Sequence, residues 1–538
     1  MLNEAEPYRA TPWQAAVGVE NCTARNGLRA ISNRPYTFLA LSMVVAATIR
    51  LYLAWQYFCI SSDGVRYIRA AQDFYVGNIK AGLSSLYPPL YPLMIAALYP
   101  LIGDWEVTGQ VWSIATGVFV LIPLYLLLQR IYGTDVAVVG AFLAATAPFL
   151  ARYSAHVRSE SPFVLLITVA LLLFCMAIKD RLRGRFFYGG LIAGLAYLMR
   201  PEGIAFLVIV PAALVVEWWF GKKVGLSSVF IGSLLTLLGF LILAVPYAAH
   251  LAFDTGDWGA VSRKTNLALW YGFKDSGILD NEQLAAIRAP EAPGIAAFFL
   301  AHPFAYIKKI ALDVPTSLGV YLEAIHYSYV PFLLLGIFHA VRRRFWQQPD
   351  LLLFIFVIFF IVGFAALYVN LRYAIQLIPA SLGWVAMGLI WCMNYDHLKR
   401  YLSPRAFNMT AIVIGLAFVG ATLGKALRPI SPDKAHVRES GVYLREHSGS
   451  HGPKVLVFDN RITFYAEADA VLLSELDEKS VIRMLREGSV DYVATEVAPW
   501  RERFPSIAKE PPNYGLVLEK EFKASGGGQI LLFKVRKV

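Results

Sequence analysis

The chain has 538 residues, 57% hydrophobic and 16% charged, with mean hydropathy +0.52; a soluble protein of this length carries roughly 25% charged residues. That balance excludes a soluble globular enzyme and points to a polytopic membrane protein. The formal net charge of +11 does not signal a nucleic-acid partner, because the basic residues fall in short clusters between apolar runs, as in cytoplasmic loops.

Residues 1–35 are polar, contain Arg9, Arg25, Arg29 and Arg34, and lack the apolar core and cleavage site of a signal peptide. They read as a cytoplasmic segment ahead of a retained anchor. Runs of roughly 17–25 apolar residues cross about 30 Å of hydrocarbon. Such runs lie near 36–58, 107–128, 134–152, 162–178, 186–199, 203–220, 225–247, 316–340, 350–369, 373–393 and 407–425, which predicts about eleven transmembrane helices. Leu90 to Ile102, inside "YPPLYPLMIAALYPLIG", is short and proline-bounded and reads as a re-entrant or interfacial helix, with a further span as the alternative. Charge favours the first reading. With about eleven spans, "QRIYG", "KDRLRGR", "GKK", "RRRFWQQ" and "DHLKRYLSPR" all fall on the cytoplasmic side.

This topology puts two long loops, 59–106 and 248–315, on the outer face with the short segments "ARYSAHVRSE", "RPEG" and "NLRY". After Lys425 the composition changes. "KVLVFD" and "DYVATE" read as short buried strands, "EKSVIRMLREGS" as a helix with Val481, Ile482 and Leu485 on one face, and "YGLVLEKEF" with "GQILLFKV" as a hairpin. Residues 428–538 therefore form a small extracytoplasmic α/β domain, outside a membrane domain at 36–427. "SGGGQ" lacks the strand–turn–helix context of a phosphate loop. The four cysteines, Cys22, Cys59, Cys175 and Cys392, include no CxxC pair, and His156 and His326 lack metal-ligand spacing. No cofactor is indicated, and a divalent metal has no ligand motif to support it.

The outer segments hold the unusual side chains. Asp63 opens an amphipathic helix in "SSDGVRYIRA", either as its N-cap or as a carboxylate offered to a cavity. Glu160 begins the fourth span with the same two readings, and Arg152 and Arg158 lie nearby. Arg200, followed by Glu202, and Arg372, followed by Tyr373, are either snorkelling interfacial arginines or forks suited to phosphate oxygens. "YPPLYP" is either a plain interfacial turn or a rigid lipid entrance built from Tyr87, Pro88, Pro89 and Tyr91.

The motifs "SSDGVRYIRAAQDFYVGN", "YPPLYPLMIAAL", "YSAHVRSESPFVLL", "GLAYLMRPEGI" and "NLRYAIQLIPA" together resemble the GT-C class of membrane glycosyltransferases. More narrowly, they resemble the bacterial family of protein O-mannosyltransferase-like and aminoarabinose-transferase-like enzymes. The resemblance covers roughly Tyr36 to Met393. It implies transfer of a hexosyl or pentosyl group, with inversion, from a polyprenyl-phosphate sugar to a glycan, lipid or protein acceptor at the outer membrane face. It implies Asp63 as base, Glu160 as second acid, and Arg200 and Arg372 near the donor phosphate, with Tyr87, Pro88, Pro89, Tyr91, Glu202 and Tyr373 around the cavity. One departure stands out: many relatives show Asp-Glu in the first motif, whereas Gly64 follows Asp63 here, which puts a metal site in doubt. The competing class is a secondary transporter or flippase, against which stand the lack of an evident repeat and the length of the outer loops.

Overall fold

The computed structural model describes residues 34–221, 225–258, 261–280, 283–284, 295–342, 350–393, 403–449, 452–524 and 527–536. The N-terminal segment and most of the basic loops around 222–224, 343–349 and 394–402 lie outside the described residues.

Among the described residues six helices are long and apolar enough to cross a membrane: Pro35–Trp55, Trp105–Tyr132, Glu160–Asp180, Pro201–Gly221, Leu226–Thr255 and Leu371–Met393. The count reaches eight if two bent pairs are one span each: Thr134–Thr146 with Pro148–Ser154, at 54°, and Pro303–Ile325 with Tyr327–Arg342, at 90°. The sequence suggests about eleven. The shortfall lies largely in shorter helices at expected positions, Gly184–Met199 and Leu351–Ala366. Leu90–Ile102 is a helix of 13 residues, reaching roughly 20 Å, well short of the hydrocarbon thickness.

Both bends have local causes. Pro148 occupies the first helical position after Ala147 (ψ 120°), where its missing N–H and fixed φ suit a new helix start but not a continuation. At the 90° corner His326 adopts φ +84°, a backbone conformation that ends helical propagation.

One expectation needs correction. The presumed loop 248–315 is largely helical: Leu226–Thr255 runs past residue 247, Thr265–Ser276 and Ile295–Ala301 follow, and the next long helix opens at Pro303 rather than near 316. In the segment 59–106 the helices expected at Asp63 and at Leu90–Ile102 are present as Ser62–Tyr75 and Leu90–Ile102, with Ile79–Leu83 between them.

Close backbone approach fixes the centre of the bundle. Gly184–Met199 packs on Leu226–Thr255 so tightly that a Cβ at Gly190 would overlap the Thr236 carbonyl, the small-residue packing expected where two apolar helices meet in lipid. This contact places Arg200 at the end of its helix against the bundle interior.

The C-terminal residues form a five-stranded sheet in the order β2-β1-β3-β5-β4, with β1 Lys454–Val457, β2 Asp469–Leu472, β3 Tyr492–Glu496, β4 Leu516–Lys523 and β5 Gln529–Val535. β1 pairs in parallel with β2 and β3, while β5 runs antiparallel to β3 and forms the terminal hairpin with β4. Helix Glu478–Arg486 buries Val481 and Leu485 beside Trp500, Phe504 and Phe533. β2 carries no clear signal in the sequence. The domain docks on the helical bundle through backbone bonds from Phe58 N to Ile430 O, 3.1 Å, and from Ile430 N to Gln56 O, 2.9 Å.

Candidate active site

Asp63 is not the cap of its helix. Ser61 is: its hydroxyl accepts from Gly64 N at 3.1 Å. A serine in extended conformation satisfies an orphan N–H of the first turn, which leaves the Asp63 carboxylate, in that same turn, for other partners. Gly64 is required by space. A Cβ there would lie 2.8 Å from Ile60 Cγ1 and 3.1 Å from the Val157 carbonyl, so the chain has no room for a second acidic side chain at this position. Glu160 likewise makes no capping bond and is 3% exposed in the first turn of its helix. Arg200 extends from the C-cap of Gly184–Met199. Asn370 caps the next short helix by accepting from Arg372 N at 3.0 Å, which fixes the base of the Arg372 side chain.

These residues, scattered over more than 300 positions, converge at the end of the bundle that carries the C-terminal domain. The Arg372 guanidinium donates from Nη1 to Asp63 and from Nε to Glu160. Arg200 pairs with Glu160 at 3.1 Å and with Glu202 at 2.6 Å, and its guanidinium lies 5.3 Å from the Tyr373 ring centre. The Tyr87 hydroxyl donates to Asp63. Tyr67 stacks on Tyr87 with ring centres 4.5 Å apart and bonds Ser159 Oγ at 2.8 Å. Lys264 lies over the Tyr87 ring at 4.9 Å. Arg158 donates to the Ser61 hydroxyl at 3.1 Å, holding the cap from outside the cluster.

A cavity of about 620 Å³ opens from this cluster. At one end its wall carries Arg200, Lys264, Arg372 and Glu202; Tyr87, Pro88 and Tyr373 also line it. The rest is apolar, with Leu207, Phe359, Phe360 and Phe364. Ile204 and Val208, on the helix Pro201–Gly221, line it too and are 37% and 54% exposed. Asp63 and Glu160 stand behind the wall, each tied to the wall residue Arg372. Three cations against one carboxylate on the wall suit an anionic head, and the apolar remainder suits a hydrocarbon chain.

Burial pushes the Asp63 carboxyl up, but Arg372, Lys264 and the Tyr87 hydroxyl outweigh it and hold the group well below the usual carboxylate range. Burial, with Tyr67 and Asp63 beside it, keeps the Tyr87 phenol protonated and so a donor.

The other sequence candidates are placed elsewhere. Pro89 is the N-cap of Leu90–Ile102. Tyr91 is fully buried behind Tyr67, bonded to Ser113 at 2.8 Å and to Gly109 O at 2.9 Å. Neither lines the cavity. His156 packs edge-on against Tyr57, 5.2 Å between ring centres, and His326 bonds Ser328 at the 90° corner, 2.8 Å. Arg152 donates to the carbonyls of Arg428 and Pro429. Among the described residues no group of three or more His, Cys, Asp or Glu is placed to hold a metal ion, and Asp63 and Glu160 both turn to arginine. Sequence reasoning missed Lys264 and Tyr67. A basic pair, Arg263–Lys264, in a loop on the side that basic residues avoid was the available signal for the first.

Residues 87–249 match the sequence model of the dolichyl-phosphate-mannose-protein mannosyltransferase family. ArnT from Cupriavidus metallidurans in the apo state superposes with TM-score 0.59 at 14% identity, over 94% of this chain and 98% of that one. The same enzyme bound to undecaprenyl phosphate gives 0.57 at 14% identity, over 92% and 97%. The chain has the GT-C fold. The archaeal oligosaccharyltransferase AglB from Archaeoglobus fulgidus, in complex with an inhibitory peptide and a dolichol-phosphate, shares this GT-C architecture, with TM-score 0.55 at 14% identity over 92% of this chain and 74% of that one. No curated protein matches the chain significantly by sequence. Within the GT-C fold the charged cluster stands at the meeting point of the first loop, the Glu160 helix and the Arg372 turn.

Proposed function

We propose that the chain transfers a sugar, with inversion, from a polyprenyl-phosphate carrier to an acceptor hydroxyl at the outer membrane face. The observation that carries this reading is the cavity itself, a cationic end formed by Arg200, Lys264 and Arg372 continuing into an apolar lane. A solved neighbour of the same fold is bound to undecaprenyl phosphate, which supports the same ligand chemistry here.

In this reading the donor phosphate takes the Arg372 fork, since a bidentate guanidinium–phosphate contact is strong and geometrically specific. Asp63, now released from Arg372, faces the acceptor. A carboxylate clamped by an arginine is a weak base, so donor binding is what readies it. Asp63 removes the acceptor proton as the acceptor oxygen bonds to the anomeric carbon. The bond from that carbon to the phosphate oxygen breaks, and its electron pair leaves with the polyprenyl phosphate. The developing charge is stabilised by Arg372, Arg200 and Lys264, so the leaving group needs no acid. Glu160 holds Arg372 and Arg200 in register from behind.

Purified protein in vesicles with a synthetic polyprenyl-phosphate sugar tests this. Release of free polyprenyl phosphate with a glycosylated acceptor is expected. Movement of the intact lipid-linked sugar across the vesicle, with no bond broken, would instead establish a carrier. In cells lacking the protein the polyprenyl-phosphate sugar should accumulate.

A further inference from the structure

Ile60 is fully buried three residues ahead of Asp63, and its backbone N–H precedes the helix, so no helical carbonyl can receive it. It is received across the domain boundary. The hydroxyl of Tyr465, on helix Asn460–Ala466 of the C-terminal domain, accepts from Ile60 N at 2.7 Å and donates to Glu106 Oε1 at 3.0 Å. The same short helix reaches further along the Asp63 helix, where Thr463 Oγ1 accepts from Arg69 at 3.4 Å. Arg438 lies 5.1 Å over the Tyr465 ring and donates to the Tyr57 carbonyl at 3.5 Å. One seven-residue helix of the sheet domain therefore contacts the Asp63 helix at two points, just before its cap and half-way along it.

We infer that the C-terminal domain sets the reactive geometry of the first loop, with Tyr465 as a positioning residue that fixes where the Ser61 cap, and hence Asp63, points. The inference rests on the proposed role of Asp63. Tyr465 touches neither the cavity wall nor Arg200 and Arg372, so its effect on turnover runs through the Ile60–Asp63 backbone. Small displacements of a reacting group are costly, because the gain from orientation is lost within about 1 Å.

The test compares the full-length protein with Tyr465→Phe, which keeps the ring and its packing and removes only the hydroxyl. Expected are a kcat lower by roughly ten-fold or more with an unchanged donor KM, and faster backbone hydrogen exchange over residues 58–64 at unchanged thermal stability elsewhere. Unchanged exchange over 58–64 overturns the inference whatever the activity does, and so does full turnover despite faster exchange. Asp63→Asn is measured alongside. If that variant still transfers sugar, the assignment of Asp63 fails, while exchange continues to judge the Tyr465 contact by itself.

Discussion

Arg372 and Asp63, 309 positions apart in the chain, form a direct ion pair at the polar end of the cavity, and the same guanidinium reaches Glu160. In the proposed mechanism the base and the phosphate clamp are thus bound to each other before the donor arrives. An isolated buried carboxylate would be expensive; the pairing stabilises both partners until an anionic ligand competes for the arginine.

Asp63→Asn keeps the size of the side chain and removes the proposed base. Turnover should fall by about 10² or more, equivalent to roughly 2.7 kcal/mol of transition-state stabilisation, with donor binding largely retained. Because Ser61 and not Asp63 caps the helix, Asp63→Ala should be inactive without the added loss of folding that a missing cap brings. Expression and thermal unfolding of the two variants, measured beside transfer, check this.

Arg372→Ala should raise the donor KM, lower kcat, or both, and should also destabilise the fold, since Asp63 and Glu160 lose a shared buried partner. Arg372→Lys should recover only part of the activity, because an ammonium cannot bridge two acceptors as the planar fork does. Full transfer by the alanine variant would remove Arg372 from the site.

Burial pushes the Asp63 carboxyl up, but Arg372, Lys264 and Tyr87 more than offset it, and the folded pKa lies below the usual range. The unfolded value is about 3.9, so this pairing contributes stability that is complete above that pH and is lost as pH falls through the folded pKa. In kinetics, kcat/KM reports the free enzyme and should show no acid limb from Asp63 down to about pH 5. The limb in kcat, which reports the donor-bound form, should lie higher, because phosphate has drawn Arg372 away. Coincident limbs would contradict the release of Asp63 by the donor.

Gly64→Ala forces a Cβ against Ile60 and the Val157 carbonyl. The helix start must shift, at a cost of about 1–3 kcal/mol, and transfer should fall more than stability does. Gly64→Glu, which adds a second acid beside Asp63, should be worse rather than better. A differential scan and a transfer assay on both variants decide the point.

Much of the site was legible because its motifs are local. Asp63, Glu160, Arg200 and Arg372 each sit where an apolar run stops, and a charge at that boundary is visible without coordinates. What was not legible was which hydroxyl, amide or carboxylate each one meets. Ser61 and Asp63 are both competent caps, and only the folded backbone separates them. Lys264 reaches the site from the N-cap position of helix Thr265–Ser276, in a segment read as loop, and lies over the Tyr87 ring. The 90° corner at His326 has no glycine to announce it, and the histidine that takes φ +84° there bonds Ser328 two residues on. In the sheet domain β2 is only four residues long with a half-exposed pattern, too short for any periodicity to register.

Ile204 and Val208 both line the cavity and are partly exposed, and entry of the proposed lipid-linked donor past them changes how that donor is to be counted. A substrate that arrives this way arrives by lateral diffusion, and its dose is its mole fraction among lipids rather than its concentration in the tube. Diluting the vesicles with inert phospholipid at constant total donor should slow the reaction, whereas diluting them with buffer should leave the turnover per protein unchanged. On the proposed function the spent carrier also leaves by lateral diffusion, so the rate in a crowded membrane should be set by two-dimensional traffic past one helix.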